Sequence, residues 1–355
     1  MGRAHVIACA RTILAALALS LPLAATAQPI IVGGETIADE TLAAAGRKEG
    51  TLLLYGVYPE AGMDPIRAGF SKASGISTDY VRLITQRLHP RVVTEFSAGK
   101  LEADFVDLSD LTLIKDLVDK GILARPHKVP AFDRVAPALK DAQGRWYTFL
   151  RPCTAIVVNT ARTKEAEFPA SWLDVLDGKW AGRIGMPSID AGGSSFSSYM
   201  FLRDRVAPDY WSRLAALKPR VYPSLLPATT DVARGETSLL IGGPEPLYEQ
   251  IKAGAPLKVI FPKEGVACFP DAGGITSSTK RPNAAAVWLN YLVSKAGGAV
   301  IAATGAYASH PDVGPPAPNG VQYPPAAQVW DIDIDLWTAK RDRYSQEWRT
   351  AFGVK

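Results

Sequence analysis

Between residues 51 and 121 the chain alternates short apolar runs with amphipathic segments, and most of these units close on a glycine. Thr51–Tyr55 (TLLLY) reads as a strand that ends at Gly56. A helix is expected over Pro65–Ala73, stopped by Gly75, then a strand near Ser77–Leu83 and a helix near Leu88–Ala98 closed by Gly99. A third strand, Ala103–Leu108, runs into Ser109 and Asp110. Asp110 is placed to cap a helix with Leu111, Ile114, Leu117 and Val118 on one face, and Gly121 ends it. Strand and helix in strict alternation build an open, mostly parallel sheet with helices packed on it, so the fold class is α/β.

The pattern resumes after a break near Tyr147–Thr160. Ala155–Asn159 reads as a strand, Ser171–Leu176 as helical and Arg183–Pro187 as a short strand before the Gly192–Ser195 loop. A helix from about Phe196 to Arg205 places Phe196, Tyr199 and Met200 at core spacing. Thr237–Ile241 and Lys258–Phe261 read as strands around a helix at Leu247–Ala253. Val266–Thr276 is extended, Asn283–Ser294 helical, and Gly314–Pro325 a Pro- and Gly-rich loop. Asp331, Asp333 and Asp335 alternate with Ile332 and Ile334 as one solvated strand face, and the tail ends in a helix.

Residues 1–27 stand apart from the fold. Arg3 and Arg11 precede an apolar run over Ile13–Leu23, and Ala25-Thr26-Ala27 is a small-x-small cleavage site, so a secretory signal peptide cleaved after Ala27 is expected. The mature protein is then exported to the periplasm. With 47% apolar and 21% charged residues the chain is neither disordered nor a disulfide-dense miniprotein. A formal charge of +4 over 355 residues is too small for a nucleic-acid binder driven by bulk charge, and that length suggests two domains.

Two cysteines remain after the leader, Cys153 and Cys268; in an oxidising compartment they form one disulfide or stay as two buried thiols. His89, His127 and His310 are isolated and read as surface or loop residues. HExxH, CxxC, GxSxG and P-loop spacings are missing from the sequence, and no cofactor or metal is expected.

Ligands of open α/β sheets bind outside the carboxyl ends of the strands. That rule selects the loops at Tyr55–Tyr58, Leu83–Gln86, Leu108–Asp110, Ser188–Ser195 and Gly242–Glu245. In the Gly192–Ser195 loop, small residues let backbone N–H groups approach a ligand, and the following helix start offers free donors to an anion. Gly193, Ser194 and Ser195 are therefore candidate anion contacts, with ordinary helix capping as the plainer role. Tyr55 and Tyr58 flank a glycine and are placed to stack on an organic ligand. Thr85 and Ser109 are candidate polar contacts, Tyr248 a candidate wall residue, and Asp110 a cap.

Several segments together resemble the periplasmic solute-binding proteins of ABC importers. They are Arg47–Tyr55, Glu102–Leu108 (EADFVDL), Ser171–Asp174 with Gly178–Ile184, Gly254-Ala255-Pro256 with Phe261-Pro262, Pro282–Ala285 and Gly305–Val313 (GAYASHPDV). The nearest branch holds ferric-ion-binding proteins and relatives that bind aminoethylphosphonate, phosphosugars, thiamine or polyamines. The resemblance implies a two-lobed fold, each lobe a mostly parallel sheet flanked by helices, joined by crossing hinge strands near Arg151–Ile156 and Cys268–Ile275. Lobe 1 would comprise 46–154 plus 272–315, and lobe 2 155–271 plus 316–355. Cys153 and Cys268 would then lie close enough for a disulfide across the hinge. Arg151, at the first crossing, would clamp an anion bidentately.

The function implied is a monomeric, non-enzymatic receptor that closes on a small anionic organic ligand and delivers it to an inner-membrane ABC permease. Nucleic acid is not an expected partner. One alternative is a ferric-ion carrier; ferric binders of this family use adjacent tyrosines after the strand that here ends at Ile241, whereas Gly242–Tyr248 holds a single Tyr. The other is a hydrolase or transferase on the same fold with Cys153 as nucleophile.

Overall fold

A computed structural model describes residues 28–331 and 333–354; the expected signal peptide lies outside the described residues. The chain opens with a hairpin, β1 (Ile30–Val32) and β2 (Glu35–Ala38), and helix α1 (Glu40–Glu49). Then come β3 (Leu52–Gly56), α2 (Glu60–Ser74), β4 (Thr78–Arg82), α3 (Thr85–Ser97), β5 (Phe105–Leu108) and α4 (Leu111–Asp119). This is the alternation expected from the sequence. Asp110 caps α4 by accepting from the Thr112 N–H at 2.9 Å.

After β6 (Tyr147–Arg151) the chain crosses into a second layer. It runs through β7 (Ala155–Asn159), β8 (Ile184–Pro187), α5 (Gly193–Phe201), α6 (Tyr210–Ala216), β9 (Arg220–Tyr222), α7 (Leu225–Arg234), β10 (Leu239–Gly242), α8 (Tyr248–Lys252) and β11 (Leu257–Ile260). It returns through β12 (Val266–Cys268) to β13 (Asp271–Ile275), α9 (Pro282–Val293), α10 (Lys295–Ala303) and β14 (Tyr307–Ala308). It ends on β15 (Val329–Asp331) and α11 (Ile334–Phe352).

The strands form two large sheets. One has the order β14-β6-β13-β5-β3-β4 and the other β11-β7-β10-β8-β9. In the first, β5, β3 and β4 run parallel, whereas β13 pairs antiparallel with β5 and β6. In the second, β10, β8 and β9 are parallel and β7 is antiparallel to β10 and β11. The parallel part of each sheet comes from strand–helix–strand units. The antiparallel part arises where the chain crosses between sheets and reverses direction.

Each sheet has its own core. On one face of the first, Phe70, Phe105, Trp288 and Tyr291 pack edge-on or stacked with α1 and α9; on the other, Leu88, Val92, Val106 and Leu117 are sealed under α3 and α4. The second core is aromatic: Trp172, Trp180, Phe196, Tyr199 and Met200 are joined by Trp337, Tyr344 and Trp348 of α11. Burying side chains of this size contributes about 2–3 kcal/mol each from the hydrophobic effect alone.

Several details differ from expectation. The hairpin and the first turns of α1 precede residue 46 and pack into the first core. Asp333 is not on a strand face: it caps α11, accepting from the Asp335 and Leu336 N–H groups. His310 and His127 both lie in loops, as expected, but His310 is fully buried 3.1 Å from Glu35, and half-buried His127 meets Asn290 at 2.7 Å. Cys153 and Cys268 form a disulfide where the two crossing segments run side by side as an antiparallel bridge. That bond removes Cys153 as a nucleophile, since attack needs a free thiolate.

Candidate functional site

Between the carboxyl ends of the two sheets lies a cavity of about 70 Å³ walled by both halves of the molecule. The first sheet contributes Tyr58, Arg82, Thr85, Ser109 and Asp271 to its wall. The second contributes Gly192, Ser194, Ser195, Ser224 and Glu245, and the crossing segments add Pro152 and Phe269.

Four helices start at this cavity. Pro59, Ile84, Gly192 and Ser224 are the N-caps of α2, α3, α5 and α7; all four line the wall, and none of the four helix starts has a side-chain cap bond. Of the helices that start elsewhere, α1, α4, α10 and α11 are capped by Asp39, Asp110, Ser294 and Asp333, whereas α6, α8 and α9 are not, so it is the convergence of four such starts that marks the cavity. First-turn N–H groups without a cap, at the positive end of the helix dipole, are donors for an anion. Hydroxyls reinforce them. Thr85 and Ser109 are buried and hydrogen-bonded to each other at 2.8 Å across the first sheet's loops.

The two halves touch at this point. A Cβ at Gly193 would fall 1.8 Å from the Ser109 carbonyl oxygen, so only glycine lets α5 approach the first sheet this closely. Arg341 of α11 also reaches across to the buried carboxylate of Asp110.

Carboxyl groups crowd the wall and the strand behind it. Burial pushes Glu245 up to about 8, against N–H groups of its own backbone and Cys153 that favour the ionised form. Asp271 is held well above the carboxylate range by burial first and by neighbouring Asp107 second, with Arg82 pulling the other way. Asp107 accepts from the Val57 N–H at 3.0 Å, yet burial still pushes it up to about 7. Gly56 makes room for it: a Cβ there would lie 2.4 Å from an Asp107 oxygen. Arg82 donates from Nε to the Val57 carbonyl at 3.3 Å while facing the cavity.

Of the residues singled out from sequence, the structure brings Tyr58, Thr85, Ser109, Ser194 and Ser195 to one cavity. It does not bring the others there. Tyr55 points to the opposite face of its sheet, where its hydroxyl accepts from Arg91 at 2.8 Å and the guanidinium covers its ring. Arg151 lies over the Tyr307 ring at 5.8 Å, on the edge side of β6, and is not among the lining residues. Gly193 is a packing position beneath the loop rather than part of the wall. Tyr248 is in a separate buried cluster, its hydroxyl 2.6 Å from that of Tyr323.

The sequence reading does not single out Arg82, Ser224, Glu245 or Asp271. Glu245 and Ser224 follow or precede strand ends, which is a usable signal. Asp271 and Arg82 are strand residues whose direction depends on sheet register.

A family model described as bacterial extracellular solute-binding protein matches residues 101–328. The Fe(3+)-binding periplasmic protein of Serratia marcescens is 24% identical over 247 residues, covering 67% of this chain and 72% of that one. The structure of the substrate binding protein of the ABC transporter from Agrobacterium tumefaciens superposes with a TM-score of 0.73 at 22% identity, over 85% of this chain and 95% of that one. The periplasmic binding protein AfuA from Actinobacillus pleuropneumoniae, solved with fructose-6-phosphate bound, superposes with a TM-score of 0.67 at 18% identity, over 86% and 99% of the two chains.

Proposed function

This chain belongs to the family of bacterial extracellular solute-binding proteins, the periplasmic receptors of ABC transporters, and from that premise we propose that its solute is a small organic molecule with an anionic end. The observation that supports this is the meeting of four helix starts without side-chain caps around one cavity. The Thr85, Ser109, Ser194 and Ser195 hydroxyls and the Arg82 guanidinium add donors. A carboxylate, phosphonate or phosphate ester would satisfy N–H groups that no side chain satisfies. The two lobes, 46–154 plus 272–315 and 155–271 plus 316–355, with the residues before 46 joining the first, close over the solute. A permease then receives the closed complex. The carrier acts as a monomer and needs no cofactor.

The similar proteins bear the names of different ligands, ferric iron and fructose-6-phosphate, so the choice rests on this chain's own wall. Among the described lining residues Tyr58 is the single phenol, and its hydroxyl is 3.3 Å from Thr304. A ferric ion, which favours paired phenolates, is the less suited occupant.

A thermal-shift screen of organic acids, phosphonates and sugar phosphates, with ferric salts alongside, tests the proposal. A rise of several degrees with at least one organic anion is expected. A shift with ferric iron alone, with colour, would sink it.

A further inference from the structure

We propose that the solute also carries a cationic nitrogen, at the end away from its anionic group, and that Glu245 and Asp271 are the receptor for that nitrogen. This rests on the anionic-end reading above and narrows it to a zwitterion.

The two acids come from opposite halves of the molecule and line the same cavity. Glu245 is 6% exposed and Asp271 is 1% exposed. Each has an oxygen without a hydrogen-bond partner, Oε1 of Glu245 and Oδ1 of Asp271. A buried carboxyl oxygen left without a donor is costly, and two acids that line one cavity and each hold such an oxygen call for donors supplied by an occupant. Arg82, the one cation on the described wall, already donates to Val57 and acts on Asp271 but not on Glu245.

The polar lining divides into two groups. Thr85 and Ser109 meet at 2.8 Å, and the Ser109 and Ser194 hydroxyls both approach Gly192, at the starts of α3 and α5. The Tyr58 hydroxyl instead lies in the field of both Glu245 and Asp271. An ammonium group with three N–H donors fits the second group, and an anion fits the first.

Proton balance supplies a separate signature. The titratable or charged groups facing the two acids are Tyr58, Tyr248 and Tyr323 around Glu245, and Asp107, Arg82, Tyr58 and Tyr80 around Asp271. Burial pushes Glu245 up to about 8 and raises Asp271 well above the carboxylate range, so it disfavours the ionised form of each. A bound ammonium favours their ionised forms, so its arrival releases protons to solvent. A hydroxyl-ended solute leaves the protons in place.

The test is calorimetry on the mature protein, freed of endogenous solute, with two matched series. One is phosphoethanolamine, 2-hydroxyethyl phosphate and propyl phosphate; the other is 4-aminobutyrate, 4-hydroxybutyrate and pentanoate. Propylamine, Mg²⁺ and Fe³⁺ are controls that carry positive charge only. In at least one series the ammonium member is expected to bind at least tenfold more tightly than its two partners, with net proton release measured across buffers of different ionisation enthalpy. Glu245→Gln and, independently, Asp271→Asn should each reduce that preference at least fivefold. Equal or tighter binding of a hydroxyl or alkyl member overturns the zwitterion and leaves the anionic-end reading standing. Binding of propylamine or a metal ion alone, as tight as any series member, overturns the anionic end as well. Binding of nothing in either series overturns both.

Discussion

Replacing Glu245 by Gln keeps the side chain's shape and removes its ionisation. Burial raises this carboxyl from an ordinary 4.5 to about 8. Over that interval the folded protein holds a proton that the unfolded chain has released. The folded state therefore binds more protons, and stability falls as pH rises through the window. At about 1.4 kcal/mol per pH unit the whole shift amounts to roughly 5 kcal/mol, of which about 3 kcal/mol has been lost by neutral pH. Asp107 shifts in the same direction through burial, and Asp271 through burial and repulsion from Asp107, so the variant keeps part of the slope. The assay is urea unfolding of the solute-free protein at about pH 5 and about pH 8. Glu245→Gln should gain about 3 kcal/mol relative to the unsubstituted protein between those two values. Parallel pH profiles for the two proteins would refute the burial-driven shift of this acid.

Other expectations follow from the same geometry. Gly193→Ala places a methyl group against the Ser109 carbonyl and should weaken solute binding at least tenfold, with more open small-angle scattering profiles of the solute-bound state; unchanged affinity would contradict the close approach. Arg82→Ala should weaken an anionic solute about tenfold, roughly 1.4 kcal/mol, whereas Arg151→Ala should leave the affinity within twofold. Reducing the Cys153–Cys268 bond frees a loop spanning 115 positions and should lower unfolding stability by about 2–4 kcal/mol; a urea midpoint indifferent to reductant would argue against the pairing. Arg341→Ala strips the partner from buried Asp110 and should lower the melting temperature by several degrees in calorimetry, where no change would show the pair to be energetically idle.

Much of the framework is local and so is legible in one dimension. The alternation over 51–121, the Asp110 cap and the strand at Ala155–Asn159 each depend on residues a few positions apart. The strand-end rule likewise brings Tyr58, Thr85, Ser109, Ser194 and Ser195 to the cavity, because the ends of parallel strands share one edge. Tyr55 fails the same rule through side-chain alternation: it precedes Tyr58 on the same strand-to-loop segment but faces α3.

What the sequence determined by itself was the α/β alternation, the loops that gather at strand ends and the kinship with periplasmic receptors. The tertiary structure alone decided the charge of the cavity. Glu245 and Asp271 are ordinary acids in the sequence. They become buried, each with one oxygen lacking a donor, and reluctant to ionise only because a loop of one sheet and a strand of the other fold against the same space, and neither segment encodes the environment that the other supplies.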